Sequence, residues 1–292
     1  MTSIYPCWVV IPNWNLKDYL INCISSVLKM NTKGELQIVV VDNGSTDGSL
    51  SVLDGFEGVN KMSLDRNYGF SYAANKGIQK ALDAGARSIF LLNNDTLVDS
   101  DILLHFEDAF LQTKVFNSGI FAPVIYYDQD YRDIWFFGSN DIKVLNIPHK
   151  VIPRHDKSIV SLDYVTGCGM LVLDRVFYSI GLLDEDFYMY YEDAEFCWRA
   201  RRAGFKIFGV TNARMIHYVS RSAALSDTAK SFWQHYGRVL FYRKRSSWLN
   251  QPFAHLLIFL KLMSFTLNNL LLDTYSIRSA WKATYQAYKV RT

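Results

Sequence analysis

Three acidic residues crowd into four positions of an aromatic-rich segment, residues 188–199. Glu192, Asp193 and Glu195 stand there beside tyrosines. Because like charges at close range raise the pKa of at least one member, this cluster favours a carboxylate that accepts a proton near neutral pH. The same pattern is typical of a helix N-terminus, where the helix dipole favours acids. Both interpretations stay open on the residues alone.

A second candidate is Asp95, in the polar run 93–96 that directly follows an apolar segment. A carboxylate at a strand end can bind Mg²⁺ or Mn²⁺, which complete their coordination shells with phosphate oxygens. Asp95 could equally cap a helix expected to start near Ser100. A neutral imidazole at His217 is a candidate second ligand, although a lone histidine is more often structural.

The third polar segment, residues 42–49, has the sequence Asp-Asn-Gly-Ser-Thr-Asp-Gly-Ser. Such a loop can present backbone N–H groups and a carboxylate to a nucleoside. Asp42 is placed to accept hydrogen bonds from a pyrimidine N–H and a ribose hydroxyl. The alternative is an ordinary turn between a strand and a helix, with Ser45 or Asp47 as the N-cap.

The elements that must position these groups alternate between strand and helix. Apolar runs predict strands at residues 8–11, 36–41, 88–92 and 206–210, and helical spacing predicts helices at 16–30, 47–53 and 72–84. This order predicts an α/β fold with an open, mostly parallel sheet and helices on both faces. Ligands bind outside the carboxyl ends of the strands in such sheets, so the polar segments that follow three of the strands, residues 12–15, 42–47 and 93–96, should meet at one edge.

Composition limits the classes of protein to which this chain can belong. The 292 residues are half hydrophobic and one fifth charged, as in a globular protein with one large domain and an appendage. A net charge of +3 is too small to indicate a nucleic-acid partner. The four cysteines form no CxxC pair and suggest reduced thiols in a cytosolic protein, and the short apolar run before Pro12 does not resemble a signal peptide.

The C-terminal part differs from the rest of the chain in composition. We predict a boundary near residue 228, with a catalytic domain at 1–228 and a helical extension at 229–292. Residues 253–272 are long enough to span a bilayer. However, Lys261, Ser264 and Asn268 form a polar stripe at helical spacing, and basic residues flank the segment. This pattern predicts either a helix in the membrane interface, through residues 253–272, or a helical hairpin that packs on the catalytic domain or forms a homodimer interface.

Together the polar segments resemble glycosyltransferase family 2 with the GT-A fold, over about residues 4–245. The similarity is closest to the bacterial branch that contains rhamnosyltransferases and galactofuranosyltransferases. The matching segments follow the family's order: residues 41–48, 67–70 with 74–77, 92–96, 166–170, Phe187 with Glu192 and Asp193, and His217.

The resemblance implies a role for each matching position. Asp193 would be the catalytic base, and Asp95 and His217 would bind Mn²⁺ or Mg²⁺, with an asparagine at 93 in place of the family's first acid. Donor-binding positions would be Pro12, Asn13, Asp42, Asn43, Arg66, Asn67, Asn75, Asn93 and Asn94. Acceptor-binding positions would be Gly167, Cys168, Tyr191, Glu192 and Glu195.

The implied activity is an inverting, metal-dependent transfer of a sugar from a nucleotide-diphosphate donor. We expect dTDP-L-rhamnose as the donor, with UDP-hexose or UDP-galactofuranose as alternatives, and a saccharide or lipid-linked saccharide as the acceptor in cell-surface polysaccharide synthesis. The expected location is the cytoplasm, at the inner face of the plasma membrane if the extension binds lipid. A non-catalytic nucleotide-sugar-binding protein is the competing hypothesis. An NAD-dependent oxidoreductase is disfavoured because residues 12–15 lack a glycine-rich turn.

Overall fold

The computed structural model describes residues 2–140, 149–153, 156–218, 227–245, 251–269 and 274–290. Its strands are β1 (Cys7–Asn13), β2 (Leu36–Asp42), β3 (Val59–Ser63), β4 (Ser88–Leu92), β5 (Thr96–Val98), β6 (Ser118–Tyr126), β7 (Ile134–Phe136), β8 (Ser139–Asn140), β9 (His149–Lys150), β10 (Ile159–Leu162), β11 (Gly169–Leu173) and β12 (Lys206–His217). Its α-helices are α1 (Lys17–Val27), α2 (Ser49–Val52), α3 (Phe70–Asp83), α4 (Ile102–Thr113), α5 (Asp174–Ile180), α6 (Glu192–Arg202), α7 (Asp227–Arg245), α8 (Gln251–Asn269) and α9 (Thr274–Lys289).

One large sheet organises the chain, in the order β10-β12-β6-β11-β4-β1-β2-β3. The half formed by β4, β1, β2 and β3 is parallel, while β11 runs antiparallel between β4 and β6. The predicted α/β fold with a mostly parallel central sheet is therefore confirmed, and antiparallel strands enter at the sheet's second half. Because β1 and β2 pair from Cys7↔Leu36 to Asn13↔Asp42, their carboxyl ends stop side by side.

Strand β1 shows why the sheet is covered on both faces. Successive side chains point to opposite faces of a strand. Val9 and Ile11 belong to the core that includes Leu20 of α1, whereas Val10 belongs to the core that includes Ile78 of α3. All seven residues of the strand are buried. A strand buried on both faces reads as a continuous apolar run, which is the pattern that predicted it.

Three sequence expectations need correction. Strand β3 was missed because its sequence, Val-Asn-Lys-Met-Ser, is partly exposed at the sheet edge and lacks an apolar run. The helix expected at 47–53 is reduced to α2, four residues long. The short strand expected at 206–210 continues to His217, with a register shift between Val210 and Arg214.

The extended end of β12 matters most for the site. β5 leaves the main path of the sheet and pairs antiparallel with β12, so that Thr96 lies opposite His217 and Val98 opposite Met215. The backbone N–H of Tyr218 also donates to the carbonyl of Asp95 at 3.0 Å. As a result, the turn after β4 and the end of β12 are held together.

The C-terminal helices form their own small core against α6. That cluster includes Phe187 from the loop before α6, Ala194 of α6, Leu240 of α7 and Ala283 of α9. Lys244 of α7 adds two ion pairs of 2.5 Å, to Asp184 and Asp186. The boundary expected near residue 228 stays a prediction, since residues 219–226 and 270–273 lie outside the described part of the chain.

In the part of the chain that the structure describes, no helix is both long and apolar enough to cross a membrane. This includes α8, which covers most of the segment for which we considered a span.

Gly77 provides a test of the packing between α3 and the sheet. A Cβ atom at this position would lie 2.5 Å from Cγ1 of Val10 and 3.1 Å from Cγ2 of Val41. Gly77→Val should therefore lower the free energy of unfolding by about 1–3 kcal/mol through overpacking, measured by urea denaturation. Gly55→Val is the matched control, because a Cβ there meets nothing within 4 Å. Equal stability of the two variants would contradict this account of the packing.

Candidate active site

Asn13, at the end of β1, connects the polar ends of the neighbouring strands. Its Nδ2 donates to Oδ1 of Asp42 at 2.9 Å, and its Oδ1 accepts from Nδ2 of Asn94 at 2.7 Å. Nδ2 of Asn94 donates further to the carbonyl of Asn15 at 3.1 Å. Asn13, Asp42 and Asn94 are all buried, so this network is shielded from competing water. It fixes the Asp42 carboxylate at the sheet edge.

The loop after β2 is built around that carboxylate. Oδ2 of Asp42 accepts from the N–H of Ser45 at 3.1 Å, which turns the chain back on itself. Gly44 has a φ of +74°, and a Cβ there would lie 2.5 Å from Cα of Arg66. Only glycine allows this close approach of two backbones. The predicted nucleoside-binding loop and the predicted donor residue Arg66 are therefore adjacent.

Asn43 and Asn67 order the segment that carries Arg66. Nδ2 of Asn43 donates to Oδ1 of Asn67 and to the carbonyl of Gly69, both at 3.0 Å, and its Oδ1 accepts from the N–H of Tyr68. The exposed Arg66 lies with its guanidinium carbon 4.7 Å from the centroid of the Tyr68 ring. Asn43 and Asn67 thus shape the loop through its backbone, and Arg66 presents a cation beside it.

Asp95 and His217 meet because β5 pairs with the end of β12. Nε2 of His217 lies 3.1 Å from Oδ1 of Asp95, and both residues are buried. The Trp135 ring meets the imidazole edge-on, with 4.5 Å between the ring centroids. Asp95 and His217 are far apart in the sequence, and the fold brings them into direct contact.

Three buried polar atoms at this point have no hydrogen-bond partner among the described residues. They are Oδ1 of Asn93, Oδ2 of Asp95 and Nδ1 of His217. An unpaired buried polar atom is unfavourable, so a cluster of them indicates a site that a ligand completes. Oxygen and imidazole ligands suit Mn²⁺ or Mg²⁺. The residues present therefore fit the expected cation.

The described side chains alone provide few ligands for a cation. Within the described ranges, no group of three or more His, Cys, Asp or Glu side chains could hold a metal ion. A cation at Asp95 would have to take further ligands from a bound molecule, and phosphate oxygens are the usual choice for Mg²⁺.

Asp193 lies across the sheet edge at the start of α6. Its Oδ2 accepts from the N–H of Gly167 at 3.0 Å and from the Tyr164 hydroxyl at 3.1 Å, and its Oδ1 accepts from the N–H of Ala194. The two residues before the helix, Tyr190 and Tyr191, have positive φ angles of 66° and 73°. Two consecutive non-glycine residues in this region are strained, and strain of this kind concentrates at functional sites.

The pKa values of the two carboxyls at the start of α6 are both raised. Burial raises the pKa of Asp193, and its hydrogen bonds from Gly167, Ala194 and Tyr164 oppose that effect. Burial and then the charge of Asp193 raise the pKa of Glu192 well above its usual range, and its Oε2 has no partner in the described structure. Asp193 receives several hydrogen bonds that favour its charged form, whereas Glu192 receives one, from a backbone N–H.

Cys168 links this carboxylate to the cation site. Gly167 donates to Asp193, and the carbonyl of the next residue, Cys168, accepts from the N–H of Asn93 at 3.0 Å. The thiol is buried, and burial raises its pKa well above the usual range, so it stays protonated. These predicted acceptor-side residues form the physical connection between the two halves of the site.

Three predicted site residues have structural contacts instead. Both carboxylate oxygens of Glu195 accept from Nε of Arg199, at 2.7 and 2.8 Å, and Arg199 also donates to the carbonyls of Ile180 and Leu182. This arrangement anchors α6 to the preceding loop, and the acceptor-binding role of Glu195 stays a prediction. Tyr191 turns toward α7, where its ring lies 5.9 Å from that of Phe241.

Asn75 is the third of these residues. Its Nδ2 donates to the carbonyl of Leu183 and to Glu185, and its Oδ1 accepts from the N–H of Leu183. The side chain is therefore used to hold the loop before α6, and its contacts give the expected donor role no support. Pro12 lies buried within β1 opposite Val41 and contributes packing at the sheet edge.

Sequence reasoning missed Tyr164 and Trp135. Tyr164 donates to Asp193 from 29 positions away in the sequence, and Trp135 packs on His217. Neither lies at a strand end or in a polar cluster. The only available signal was the position of Tyr164 just before the Thr-Gly-Cys-Gly segment at 166–169.

The described geometry can be compared with known proteins. The model of the family "Glycosyl transferase family 2" matches residues 8–172, more than half of the chain. The chain belongs to glycosyltransferase family 2. The matched region holds Asp42 and Asp95, whereas Asp193 and His217 lie beyond it.

Two curated relatives cover much of this family 2 chain. The low-salt glycan biosynthesis hexosyltransferase Agl10 of Haloferax volcanii is 27% identical over 207 residues, which is 68% of this chain and 62% of that protein. The dTDP-rhamnosyl transferase RfbF of Shigella flexneri is 24% identical over 212 residues, 73% of this chain and 69% of that protein. The match thus spans less than two thirds of the length of Agl10.

Solved structures confirm the GT-A-type fold. The mannosyltransferase PcManGT from Pyrobaculum calidifontis, in complex with GDP-Man and Mn²⁺, aligns with a TM-score of 0.58 at 12% identity, over 99% of this chain and 76% of that one. Residues 1–349 of TarS from S. aureus, in complex with UDP-GlcNAc, give a TM-score of 0.59 at 14% identity, over 97% and 80%. At these identities the likeness concerns the fold alone.

Tyr164→Phe tests the electrostatics around Asp193. Removing the hydroxyl deletes a hydrogen bond to the charged carboxylate, so the pKa of Asp193 should rise, by about one unit if the bond contributes about 1.5 kcal/mol. Carboxylate ¹³C titration of aspartate-labelled protein measures the shift. Tyr178→Phe, at an exposed tyrosine, is the control and should leave the titration unchanged. An unchanged pKa in Tyr164→Phe would show that this hydrogen bond does not tune the site.

Proposed function

We propose that this protein transfers a sugar from a nucleoside diphosphate sugar to a hydroxyl group of a saccharide acceptor, with inversion at the anomeric carbon. One observation carries the proposal: a hydrogen-bonded carboxylate, Asp193, and a cation-type site, Asp95 with His217, face the same sheet edge. They are joined through the Gly167–Cys168 backbone and Asn93. Membership of family 2 supports the same reaction class.

In the proposed reaction, Asp193 accepts the proton of the acceptor hydroxyl. That oxygen attacks the anomeric carbon and forms the new C–O bond, while the bond from the anomeric carbon to the diphosphate oxygen breaks and the diphosphate leaves with the electron pair. A single displacement from the opposite face inverts the anomeric configuration. The raised pKa of Asp193 suits a base that works near neutral pH.

Asp95 and His217 would hold a divalent cation together with the donor diphosphate. Such a cation, when bound, neutralises the negative charge that develops on the leaving group. Asp42, fixed by Asn13 and the N–H of Ser45, would accept hydrogen bonds from the nucleoside, and the exposed Arg66 would lie beside the phosphates. The mixed placement of anionic and cationic groups fits a nucleoside diphosphate, which has donors at the base and charge at the phosphates.

For the donor we propose dTDP-L-rhamnose, supported by the similarity to the dTDP-rhamnosyl transferase RfbF. A UDP-hexose is the second candidate, favoured by the similarity to the hexosyltransferase Agl10, and UDP-galactofuranose is a third. A thermal-shift panel of these nucleotide sugars with Mn²⁺ or Mg²⁺ tests the choice, since a ligand of the folded state raises Tm. No shift with any nucleotide sugar would count against the proposed function.

Asp193→Asn should keep donor binding and lose turnover by about 10²–10⁴-fold, because the amide cannot accept the acceptor proton. Steady-state kinetics measure turnover, and calorimetry measures donor affinity. Asp54→Asn, at an exposed carboxylate of the catalytic region, is the charge-matched control and should retain activity. Near-full turnover in Asp193→Asn would refute the assignment of the base.

Asp95→Ala should weaken donor binding in the presence of Mn²⁺ by at least about tenfold, equivalent to about 1.4 kcal/mol. The physical reason is the loss of the carboxylate ligand between protein and cation. Calorimetry with Mn²⁺ and then with a chelator separates the cation's contribution: the wild type should lose affinity on chelation, and the variant should lose little more. Donor affinity that is unchanged in the variant would contradict the cation role of Asp95.

A further inference from the structure

The C-terminal extension carries a charge opposite to the rest of the chain. Residues 229–292 contain ten of the 31 Lys and Arg residues but only one of the 28 acids, Asp273. Their formal charge is therefore +9, whereas residues 1–228 carry −6. No Asp or Glu occurs in the sequences of α8 and α9. A strong charge asymmetry of this kind indicates an anionic partner for the extension.

Helix α8 exposes an apolar row on one side. Leu256, Phe259, Leu260 and Leu267 recur at helical spacing on its outer face, while Ile258 and Leu262 are buried beneath. Of the polar stripe expected from the sequence, Ser264 is exposed beside this row. Nζ of Lys261 instead lies 3.3 Å from the Tyr242 hydroxyl of α7, so this lysine points inward.

Helix α9 extends the row with aromatic residues. Nε1 of Trp281 donates to Thr266 of α8 at 3.1 Å, and the Tyr288 hydroxyl lies 2.6 Å from Nδ1 of His255 near the other end of α8. These two contacts align the helices antiparallel. Trp281 and Tyr285 consequently adjoin the apolar row of α8.

The "α8–α9 face" denotes the resulting surface. Its members are between 41 and 66% exposed: Leu256, Phe259, Leu260, Leu267, Trp281 and Tyr285. Arg278, Lys282 and Lys289 are exposed on the adjacent side of α9, and Nζ of Lys289 lies 4.7 Å from the centroid of the Tyr285 ring. Apolar and aromatic side chains flanked by basic ones are typical of a helix that lies in a membrane interface, with the basic groups at anionic headgroups.

We infer that the α8–α9 face docks this protein on the surface of a membrane that contains anionic lipid. Charge decides between this occupant and a second copy of the chain. A symmetric contact through this face would bring the basic residues Arg278, Lys282 and Lys289 of one copy to a face with no acid on α8 or α9 to balance them. Anionic headgroups provide the missing negative charge, and the acyl region accepts the leucine and phenylalanine side chains.

The docked face is fixed to the catalytic region through α7. The Arg243 guanidinium donates to the carbonyls of Ala287 of α9 and of Val290 just after it, and Lys244 pairs with Asp184 and Asp186. Docking would therefore hold the sheet edge at a set height above the lipid. This favours a lipid-linked acceptor, a point that rests on the proposed function, whereas membrane docking itself does not.

Vesicle sedimentation tests the inference with the full chain. Wild type should sediment with vesicles of 70% phosphatidylcholine and 30% phosphatidylglycerol, and poorly with pure phosphatidylcholine. Phe259→Ser/Leu260→Ser/Tyr285→Ser should reduce partitioning into the mixed vesicles by at least about tenfold. Val115→Ser/Phe116→Ser, at two exposed apolar residues of the catalytic region, is the matched control and should sediment like wild type.

Two further measurements make each outcome decisive. Circular dichroism and donor-induced thermal shifts should be the same for the triple variant and wild type, which separates lost docking from lost folding or lost donor binding. Equal sedimentation of wild type and the triple variant would overturn the inference. A second combination of results would also overturn it. Wild type would fail to sediment with the vesicles and would form a dimer in analytical ultracentrifugation, and the triple variant would be a monomer. The face would then be covered by a second copy.

Discussion

The antiparallel pairing of β5 with the end of β12 is the constraint on which the candidate site depends. It is a short ladder of three residue pairs, yet it places His217 against Asp95 and sets the turn 93–95 at the sheet edge. The neighbouring polar groups then follow from the parallel strands, whose ends stop together. Asn13 hydrogen-bonds to the polar side chains at the ends of the neighbouring strands. The backbone hydrogen bond between Asn93 and Cys168 connects these strand ends to the side of the site where Asp193 lies.

Burial has opposite consequences on the two sides of this edge. At Asp95 and His217 it leaves polar atoms that have no partner among the described residues and that a ligand with cationic and anionic parts can satisfy. At Asp193 and Glu192 it raises both pKa values, and the more numerous hydrogen bonds to Asp193 oppose that effect more strongly there than at Glu192. Two adjacent acids thus differ in the pKa shifts that their surroundings impose.

Local sequence patterns predicted those elements whose residue types are determined by burial within the element itself. β1, β2 and β4 were predicted correctly because strands buried on both faces must be continuously apolar. Asp42 and Asp95 were proposed as site residues because ligands bind where such strands end. β3 was missed because an edge strand has no such requirement. Tyr164 and Trp135 were missed because only tertiary folding brings them to Asp193 and His217. The local pattern does not show the side-chain partners of Glu195 and Lys261, which are Arg199 and Tyr242.

The pair of left-handed tyrosines before α6 ties the site to the extension. A non-glycine residue in this conformation costs roughly 1–3 kcal/mol, and the two occur in succession. Contacts with α7 compensate: Tyr191 packs on Phe241, Gly237 allows the backbone of Tyr190 to approach closely, and Tyr188 stacks on Trp233 at 4.3 Å. The extension therefore supports the bend that places Asp193, so that removing α7 would also remove the contacts that hold this bend.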